Sequence, residues 1–265
     1  MPTDAAYSPM SLFDLTGRRA LVTGARRGIG RAIALALAAQ GAEVAVHHAG
    51  AADEARDAEA VVAEIAGRNG AARAFAADFA QRGEAGRLAE RIGQELGPVD
   101  ILVLNASIEL LEEYEGISDA TFDRQIDLNL RAPLQLVQAL LPGMKARRWG
   151  RVLTIGSIQQ LRPHPQMLIY AGTKAAQLNW ARNLARHIGG DGVTVNNLAP
   201  GTIWTARNEA RLSDPAIRRE MEQRIPLGRL GKPEDLVGAA LLLCSDAGSY
   251  INGADLFVDG GLAVG

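Results

Sequence analysis

Residues 19–30 read Arg-Ala-Leu-Val-Thr-Gly-Ala-Arg-Arg-Gly-Ile-Gly, a short apolar run that leads into a glycine-rich turn. A helical pattern follows over 31–40, with apolar side chains on one side. A strand, a glycine turn and a helix in this order are the usual setting for a bound dinucleotide, because the glycines let phosphates approach and the helix N-terminus offers unpaired N–H groups. Three residues separate the first two glycines, whereas the usual Gly-x-Gly-x-x-Gly motif has one. Taken alone, these residues could therefore form an ordinary glycine turn that binds no ligand.

The same alternation of short β-type runs and longer helical runs continues along the chain. Predicted strands are 19–23, 43–47, 72–76, 99–104, 151–156, 192–197 and 255–258, and predicted helices are 28–40, 53–68, 82–96, 118–143, 169–188 and 233–245. Strands rich in Val, Ile and Leu without strict alternation indicate a parallel sheet covered on both faces. The sequence therefore predicts a single Rossmann-like domain over 1–265, an α/β doubly wound sheet of seven parallel strands.

Two segments interrupt this pattern. Residues 1–14 are predicted to be a flexible tail. Residues 202–232 are polar and rich in arginine, and they follow the sixth strand, where ligands of such sheets bind. We interpret 202–232 as a substrate lid with one or two short helices, while an oligomer contact or a surface insertion stays open. Proline at 133 and 142 indicates a kink or an early end in the fourth helix.

Composition limits the possible partners. Hydrophobic residues make up 48% of the 265 residues and charged residues 22%, as in a globular protein with an ample core. A net charge of −2 without a basic block gives no reason to expect nucleic acid or an acidic membrane. No apolar stretch has the length of a membrane span, and the first residues lack a signal pattern. We expect a cytoplasmic protein.

Cysteine and histidine add little chemistry. The single cysteine, Cys244, excludes an internal disulfide and fits a reducing compartment. It lies in an apolar run, which indicates a buried, inert thiol. We expect no metal, because metal-ligand spacing is missing from His47, His48, His164 and His187.

The residues most informative about chemistry are Ser157 and, after twelve intervening residues, the stretch Tyr170-Ala-Gly-Thr-Lys174. Tyr170 and Lys174 are four apart and share one face of a helix. A lysine charge beside a phenol favours the phenolate, which would move a pKa of ~10 toward neutrality. Ser157 could hold the oxygen whose proton moves. Taken singly, a core tyrosine, a surface lysine and a turn serine remain possible.

Together these features resemble the short-chain dehydrogenase/reductase family, from about Leu15 to Gly261. The family's Thr-Gly-x-x-x-Gly-x-Gly turn corresponds to 23–30, and its asparagine, serine, tyrosine and lysine match Asn129, Ser157, Tyr170 and Lys174. The resemblance implies hydride transfer between a nicotinamide and a secondary alcohol or ketone, with the tyrosine as acid/base and the serine on the substrate oxygen. It also implies that the lysine bonds the nicotinamide ribose and that the asparagine positions a water that reloads the proton.

The same resemblance supplies the predicted cofactor-binding set. It consists of the glycine turn, the ends of the second to fourth strands, the catalytic helix and the segment after the sixth strand. Its members are Gly24, Arg26, Arg27, Gly28, Ile29, Gly30, His48, Asp78, Phe79, Asn105, Ala106, Ser107, Tyr170, Lys174, Pro200, Gly201, Ile203 and Thr205.

The resemblance has one imperfect motif. The family's Asn-Asn-Ala-Gly after the fourth strand reads Leu104-Asn105-Ala106-Ser107 here. Leu104 lacks an amide, and Ser107 adds a side chain where glycine leaves room beside the cofactor. We expect an altered fit, or a new hydrogen bond from Ser107, with activity retained.

The end of the second strand bears on the choice of cofactor. Enzymes that use NAD tend to place a carboxylate there, on the ribose hydroxyls. Here the strand ends in His47-His48-Ala49-Gly50, with no carboxylate before Asp53, and Arg27 adds a planar cation suited to a phosphate. These residues favour NADP(H), with NAD as the alternative.

Substrate and assembly are less defined. Candidate pocket residues mix apolar and polar groups: Ile108, Gln159, Leu161, Met167, Trp204 and Arg207. They suit a small hydroxy or oxo compound, and the family's 3-oxoacyl reductases and NAD(H)-dependent sugar or polyol dehydrogenases are both compatible. A non-catalytic dinucleotide-binding regulator and an epimerase or dehydratase are the alternatives of other classes. The resemblance implies a homotetramer or homodimer.

Overall fold

The computed structural model describes residues 8–162 and 164–264. Of the predicted tail, 1–7 lies outside these residues, whereas Pro9–Phe13 form a 3₁₀ helix and Leu15 is fully buried. Mobility of the tail stays a prediction. No helix in the described ranges is long and apolar enough to cross a membrane.

Seven strands form one parallel sheet. They are β1 Arg19–Val22, β2 Glu43–His48, β3 Ala71–Ala76, β4 Ile101–Leu104, β5 Gly150–Ile155, β6 Val193–Pro200 and β7 Asp255–Val258. Their spatial order is β3-β2-β1-β4-β5-β6-β7, and every neighbouring pair is parallel. The predicted doubly wound fold is confirmed. The strand predicted over 192–197 runs to Pro200, because its last residues pair with β7.

Helices cover both faces of the sheet. They are α1 Gly28–Ala39, α2 Ala52–Ala66, α3 Glu84–Glu95, α4 Asp119–Ile126, α5 Ala132–Ala146, α6 Leu168–Ile188, α7 Glu209–Leu212, α8 Pro215–Arg224 and α9 Val237–Cys244. The two short helices predicted within 202–232 are α7 and α8. The helix predicted over 233–245 begins as a 3₁₀ turn, Pro233–Leu236, before α9.

The central strands are buried on both sides. In β4, Ile101 and Val103 enter one core layer, which includes Ile33 of α1. Their neighbours Leu102 and Leu104 enter the other layer, with α3 and α5. Because both faces are covered, apolar residues need not alternate with polar ones, which explains the continuous run Ile101–Leu104.

The predicted helix 118–143 is instead two α-helices joined by a π-helical turn, Asp127–Arg131. Ser118 caps the first helix, since its Oγ accepts a hydrogen bond from the backbone N–H of Thr121 at 3.1 Å. Pro133 lies in the first turn of α5, where its missing N–H is tolerated. Pro142 lies inside α5 without ending it. The irregularity that the prolines indicated is therefore the π-helical turn around Asn129. Such turns are frequent at functional sites.

The connection between α6 and β6 provides a test of the fold. Gly192 has φ +76, and a Cβ there would lie 2.1 Å from the carbonyl oxygen of Arg148. Gly192→Ala is expected to lower the free energy of unfolding by roughly 2 kcal/mol or more, from backbone strain together with the clash. Gly190→Ala is the control, because no heavy atom lies within 4 Å of its added Cβ. Equal urea midpoints for the two variants would contradict this account.

Candidate active site

A cleft of about 1200 Å³ opens at the carboxyl ends of the strands. We call the part formed by the turn after β1 and the ends of β2 and β3 the turn end. The part formed by the residues after β4, β5 and β6 is the tyrosine end. The cleft spans the point where the strand order reverses between β1 and β4, which is where open α/β sheets bind ligands.

Most of the residues selected from the sequence line this cleft. They are Gly24, Arg26, Arg27, Gly28, Ile29, His48, Asp78, Phe79, Asn105, Ala106, Ser107, Ser157, Tyr170, Lys174, Pro200, Gly201, Ile203 and Thr205. Four residues selected from the sequence are not on the wall. Gly30 packs behind the turn, and Asn129 is fully buried. Of the predicted pocket residues, Leu161 is exposed and Trp204 packs against a small core cluster instead.

The glycine turn is held by the loop after β4. Asn105 donates from Nδ2 to the carbonyl oxygens of Thr23, at 2.8 Å, and Gly24, at 3.1 Å. The Thr23 hydroxyl in turn accepts the backbone N–H groups of Asn105 and Ala106, each at 2.9 Å. A Cβ on Gly30 would lie 2.4 Å from the Gly24 carbonyl oxygen, so only glycine allows this approach. Leu104, the departure from the family motif, is buried in the core.

At the tyrosine end, Tyr170 and Lys174 extend from α6 and Ser157 follows β5. The Lys174 amine lies 5.6 Å from the centroid of the Tyr170 ring. It donates to the carbonyl oxygen of Ile155, the last residue of β5, at 2.8 Å. This contact fixes α6 against the strand that presents Ser157, so the three side chains share one wall of the cleft.

The predicted shift of the tyrosine pKa is wrong for this structure. Burial raises the pKa of Tyr170 above its ordinary value of 10.0, and the negative charge of Glu109 adds to the rise. Arg207 and the Ser157 hydroxyl act in the opposite direction. Burial, with the charge of Arg207, lowers the pKa of Lys174 to about 7. Arg207, not Lys174, therefore supplies the positive charge that favours the phenolate.

A buried hydrogen-bonded chain links Lys174 to Asn129 through Gln177. The Lys174 amine donates to Gln177 Oε1 at 3.2 Å, and Gln177 Nε2 donates to the Asn129 carbonyl oxygen at 2.5 Å. Asn129 Nδ2 donates to the Ile108 carbonyl oxygen at 2.9 Å and to Thr173 Oγ1 at 3.1 Å. The sequence analysis missed Gln177, although its spacing of three from Lys174 and seven from Tyr170 places it on their helix face.

The second departure from the family motif also has a partner. Arg207 Nη2 donates to the Ser107 carbonyl oxygen at 2.8 Å and to the Ser107 hydroxyl at 3.1 Å. The sequence led us to expect a hydrogen bond donated by Ser107, whereas in the structure the Ser107 hydroxyl accepts one from Arg207. The loop after β4 is thereby joined to the segment after β6 at the tyrosine end.

Comparison with known proteins agrees with this geometry. A family model described as Enoyl-(Acyl carrier protein) reductase matches residues 24–263. The L-rhamnose 1-dehydrogenase (NAD(P)(+)) of Azotobacter vinelandii is 38% identical over 251 residues, which are 94% of this chain and 98% of the relative. The 3-oxoacyl-[acyl-carrier-protein] reductase of Staphylococcus epidermidis is 36% identical over 245 residues, 92% of this chain and 98% of the relative. The crystal structure of 3-oxoacyl (acyl-carrier-protein) reductase from Agrobacterium tumefaciens C58 with NADP bound has a TM-score of 0.91 at 41% identity, covering 97% and 98% of the two chains.

The chain belongs to the short-chain dehydrogenase/reductase family. It is an oxidoreductase that acts on CH–OH and C=O groups with a nicotinamide dinucleotide. The family and the reaction class predicted from the motifs are confirmed. The roles of individual residues stay predictions.

The turn end of this dehydrogenase/reductase fits a dinucleotide. The close glycine turn leads into the N-terminus of α1, whose N–H groups suit a pyrophosphate. His48 is buried beside the cleft, and its Nδ1 has no hydrogen-bond partner among the described residues. Burial also lowers the pKa of His48. An unpartnered polar atom at the end of β2 is available to a ribose or phosphate group.

The acidic residue near the end of β2 is not the one that the sequence suggested. The first carboxylate after β2 that lines the cleft is Glu54, whereas Asp53 is exposed. Arg26 pairs with Glu54 at 3.1 Å and with Asp57 at 2.6 Å, which offsets the negative charge. Arg27 is exposed, lines the cleft and forms no ion pair within the described ranges.

His47, which the sequence analysis did not select, supports the glycine turn from behind. Its Nδ1 accepts the backbone N–H of Gly24 at 3.0 Å, and its Nε2 lies 2.9 Å from the Ala77 carbonyl oxygen. The ring stacks on Phe79 with 4.2 Å between centroids. A neutral ring protonated on Nε2 satisfies both contacts, and burial lowers the pKa of His47 to about 4.

This pKa predicts a loss of stability in acid. The unfolded chain binds a proton at His47 near pH 6.5 and the folded chain only near pH 4, so the unfolding free energy falls as the pH falls between these values. The loss reaches about 3 kcal/mol at pH 4. The measurement is urea unfolding from pH 7 to pH 4, with His47→Asn losing this part of the slope. His187→Asn, at an exposed position of α6, is the control. Superimposable profiles for wild type and His47→Asn would refute the prediction.

Proposed function

We propose that the protein is an NADP(H)-dependent oxidoreductase that interconverts a secondary alcohol and a ketone, with Tyr170 as the acid/base. The supporting observation is that Tyr170, Ser157 and Lys174 share one cleft with the glycine turn that fits a dinucleotide. A binding regulator would not need a buried phenol and a buried amine on the same wall. Relatives named as dehydrogenases and reductases support the same conclusion.

The residues divide the chemistry as follows. When bound, the nicotinamide supplies the hydride or accepts it. In the reduction direction, the Tyr170 hydroxyl donates its proton to the substrate oxygen, which Ser157 holds by a hydrogen bond. Arg207 and Ser157 stabilise the phenolate that remains. Because the pKa of Lys174 is about 7, its amine exchanges protons near neutral pH. Hydrogen bonds connect this amine through the Gln177 side chain to the buried Asn129.

The preference for NADP(H) is supported by charge at the turn end. Among the described residues, Arg27 has no carboxylate partner, while Arg26 compensates Glu54. A 2′-phosphate would accept hydrogen bonds from the Arg27 guanidinium, which matches phosphate geometry. The similar reductase from Agrobacterium tumefaciens has NADP bound.

Fewer observations support the proposed assembly, cellular location and lid. Phe122 on α4 and Leu134 on α5 are 44% and 41% exposed, which suits a homotetramer or homodimer formed through the long helices. The cytoplasm remains the expected compartment, since the one cysteine is a free, buried thiol. The segment 202–232 is proposed as the lid because Arg207, Leu212 and Met221 line the cleft.

Removal of the Tyr170 hydroxyl tests the enzymatic role. Tyr170→Phe is expected to lower kcat by about 10²- to 10⁴-fold, because the general acid is lost while the ring still packs. Activity is followed at the nicotinamide absorbance band with NADPH and NADH against sugars, hydroxy acids, oxoacyl thioesters and simple ketones. NADPH binding, measured by fluorescence, should change little. Tyr114→Phe, on an exposed tyrosine, is the control. A Tyr170→Phe variant that keeps more than a tenth of wild-type kcat would exclude this role.

Replacement of Arg27 tests the cofactor. Arg27→Ala is expected to raise the Kd for NADPH roughly 10- to 100-fold and that for NADH less than threefold, because only NADPH offers a phosphate to the guanidinium. Fluorescence titration of both nucleotides measures the change. Arg56→Ala, which removes an exposed arginine of α2, is the matched control. Equal losses for NADPH and NADH, or a tenfold preference of the wild type for NADH, would overturn the NADP(H) assignment.

A further inference from the structure

The tyrosine end carries an excess of positive charge. Arg162, from the loop after β5, and Arg207 and Arg211, from the segment after β6, line the cleft there. Within residues 8–162 and 164–264, none of the three has a carboxylate within 4.0 Å. Glu109 is the acid on this part of the wall, and the other two acids of the cleft, Glu54 and Asp78, lie at the turn end.

Arg207 is the cation nearest to the proposed chemistry. Its Nη2 is held by the Ser107 carbonyl and hydroxyl oxygens, and its positive charge lowers the pKa of Tyr170 against the effect of burial. A guanidinium has five N–H donors in a planar fork, and no other protein acceptor binds it in the part of the chain that the structure describes. Donors therefore remain for a planar, negatively charged group beside the reacting carbon.

Within the described ranges, Arg207 has free hydrogen-bond donors, whereas Gln159 has a free acceptor. Its Oε1 is buried without a hydrogen-bond partner among the described residues, and the residue lines the same cleft. A buried acceptor of this kind calls for a donor, and a substrate hydroxyl supplies one. The tyrosine end thus combines cationic donors with a neutral acceptor.

We propose that the substrate is an anionic polyhydroxy acid, whose carboxylate binds Arg207 and whose further hydroxyl donates to Gln159. This inference rests on the proposed function, since the reacting carbon must face Tyr170. Because Arg207 and Tyr170 line the same end of the cleft, the carboxylate would lie close to the reacting carbon, as in a 2- or 3-hydroxy acid. Arg162 and Arg211 add positive potential at the entrance, and Ser107 positions the Arg207 fork.

The test compares acids with amides of the same carbon skeleton. Gluconate, galactonate and threonate, each beside its amide, are titrated by calorimetry into enzyme saturated with NADPH. At least one acid is expected to bind tenfold or more tightly than its amide. Arg207→Gln should weaken the acid roughly 10- to 100-fold and the amide less than threefold, as for hydrogen bonds to a charged group. Arg207→Lys should fall between wild type and Arg207→Gln, because lysine keeps the charge without the fork.

Arg219→Gln is the matched control, because it removes the same charge from an exposed position of α8 outside the cleft. Equal binding of every acid and its amide would overturn the inference, as would higher kcat/KM for L-rhamnose or an oxoacyl thioester than for every acid. If a thermal scan shows that Arg207→Gln does not fold, the inference is tested by Arg207→Lys and by the binding of each acid and its amide to the wild type. Acid-selective, Arg207-dependent binding without turnover of any substrate would refute the proposed function and support only the binding of the carboxylate by Arg207.

Discussion

The site depends on the burial of one amine. Lys174 is 2% exposed, and an ammonium in that position loses most of its hydration. Two oxygens compensate for this loss: the carbonyl of Ile155 at the end of β5 and the side chain of Gln177. Both acceptors are neutral, so the charge is only partly stabilised and the pKa of Lys174 falls to about 7. The contact with Ile155 also fixes the rotation of α6 against the sheet. The amine therefore determines at once where Tyr170 lies and how readily a proton moves beside it.

Opposing effects also act on the pKa of Tyr170. Its burial raises the pKa and keeps the phenol protonated, which suits a group that donates a proton during reduction. Arg207 and Ser157 limit the cost of the phenolate that follows, since both act on its oxygen. An exposed tyrosine would avoid the cost of burial, but water would then screen Arg207. Exclusion of water is thus a condition for the acid/base role.

Features set by short stretches of sequence could be predicted. The strand β1, the glycine turn and α1 follow from residues 19–40 alone, and the spacing of Tyr170 and Lys174 follows from helix geometry. Features that depend on contacts distant in sequence could not. His47 resembles any histidine at a strand end, and its contacts are with Gly24, Ala77 and Phe79, which two other parts of the chain supply. The prolines of the predicted fourth helix indicated an irregularity, but they did not show that it is a π-helical turn around Asn129.

Ser107 illustrates the same limit and links it to specificity. Compared with the family motif, a serine in place of glycine suggests a narrower cofactor pocket or a new hydrogen bond, without indicating the partner. In the fold, its hydroxyl accepts from Arg207, a residue 100 positions further along the chain. Neither residue explains the other in sequence, because β5, α6 and β6 lie between them. Ordering of an arginine side chain costs conformational entropy, and a second acceptor at Ser107 reduces the freedom that binding must remove. The serine that departs from the family motif therefore gives Arg207 a second acceptor, and two hydrogen bonds join the loop after β4 to the cation proposed to bind the substrate.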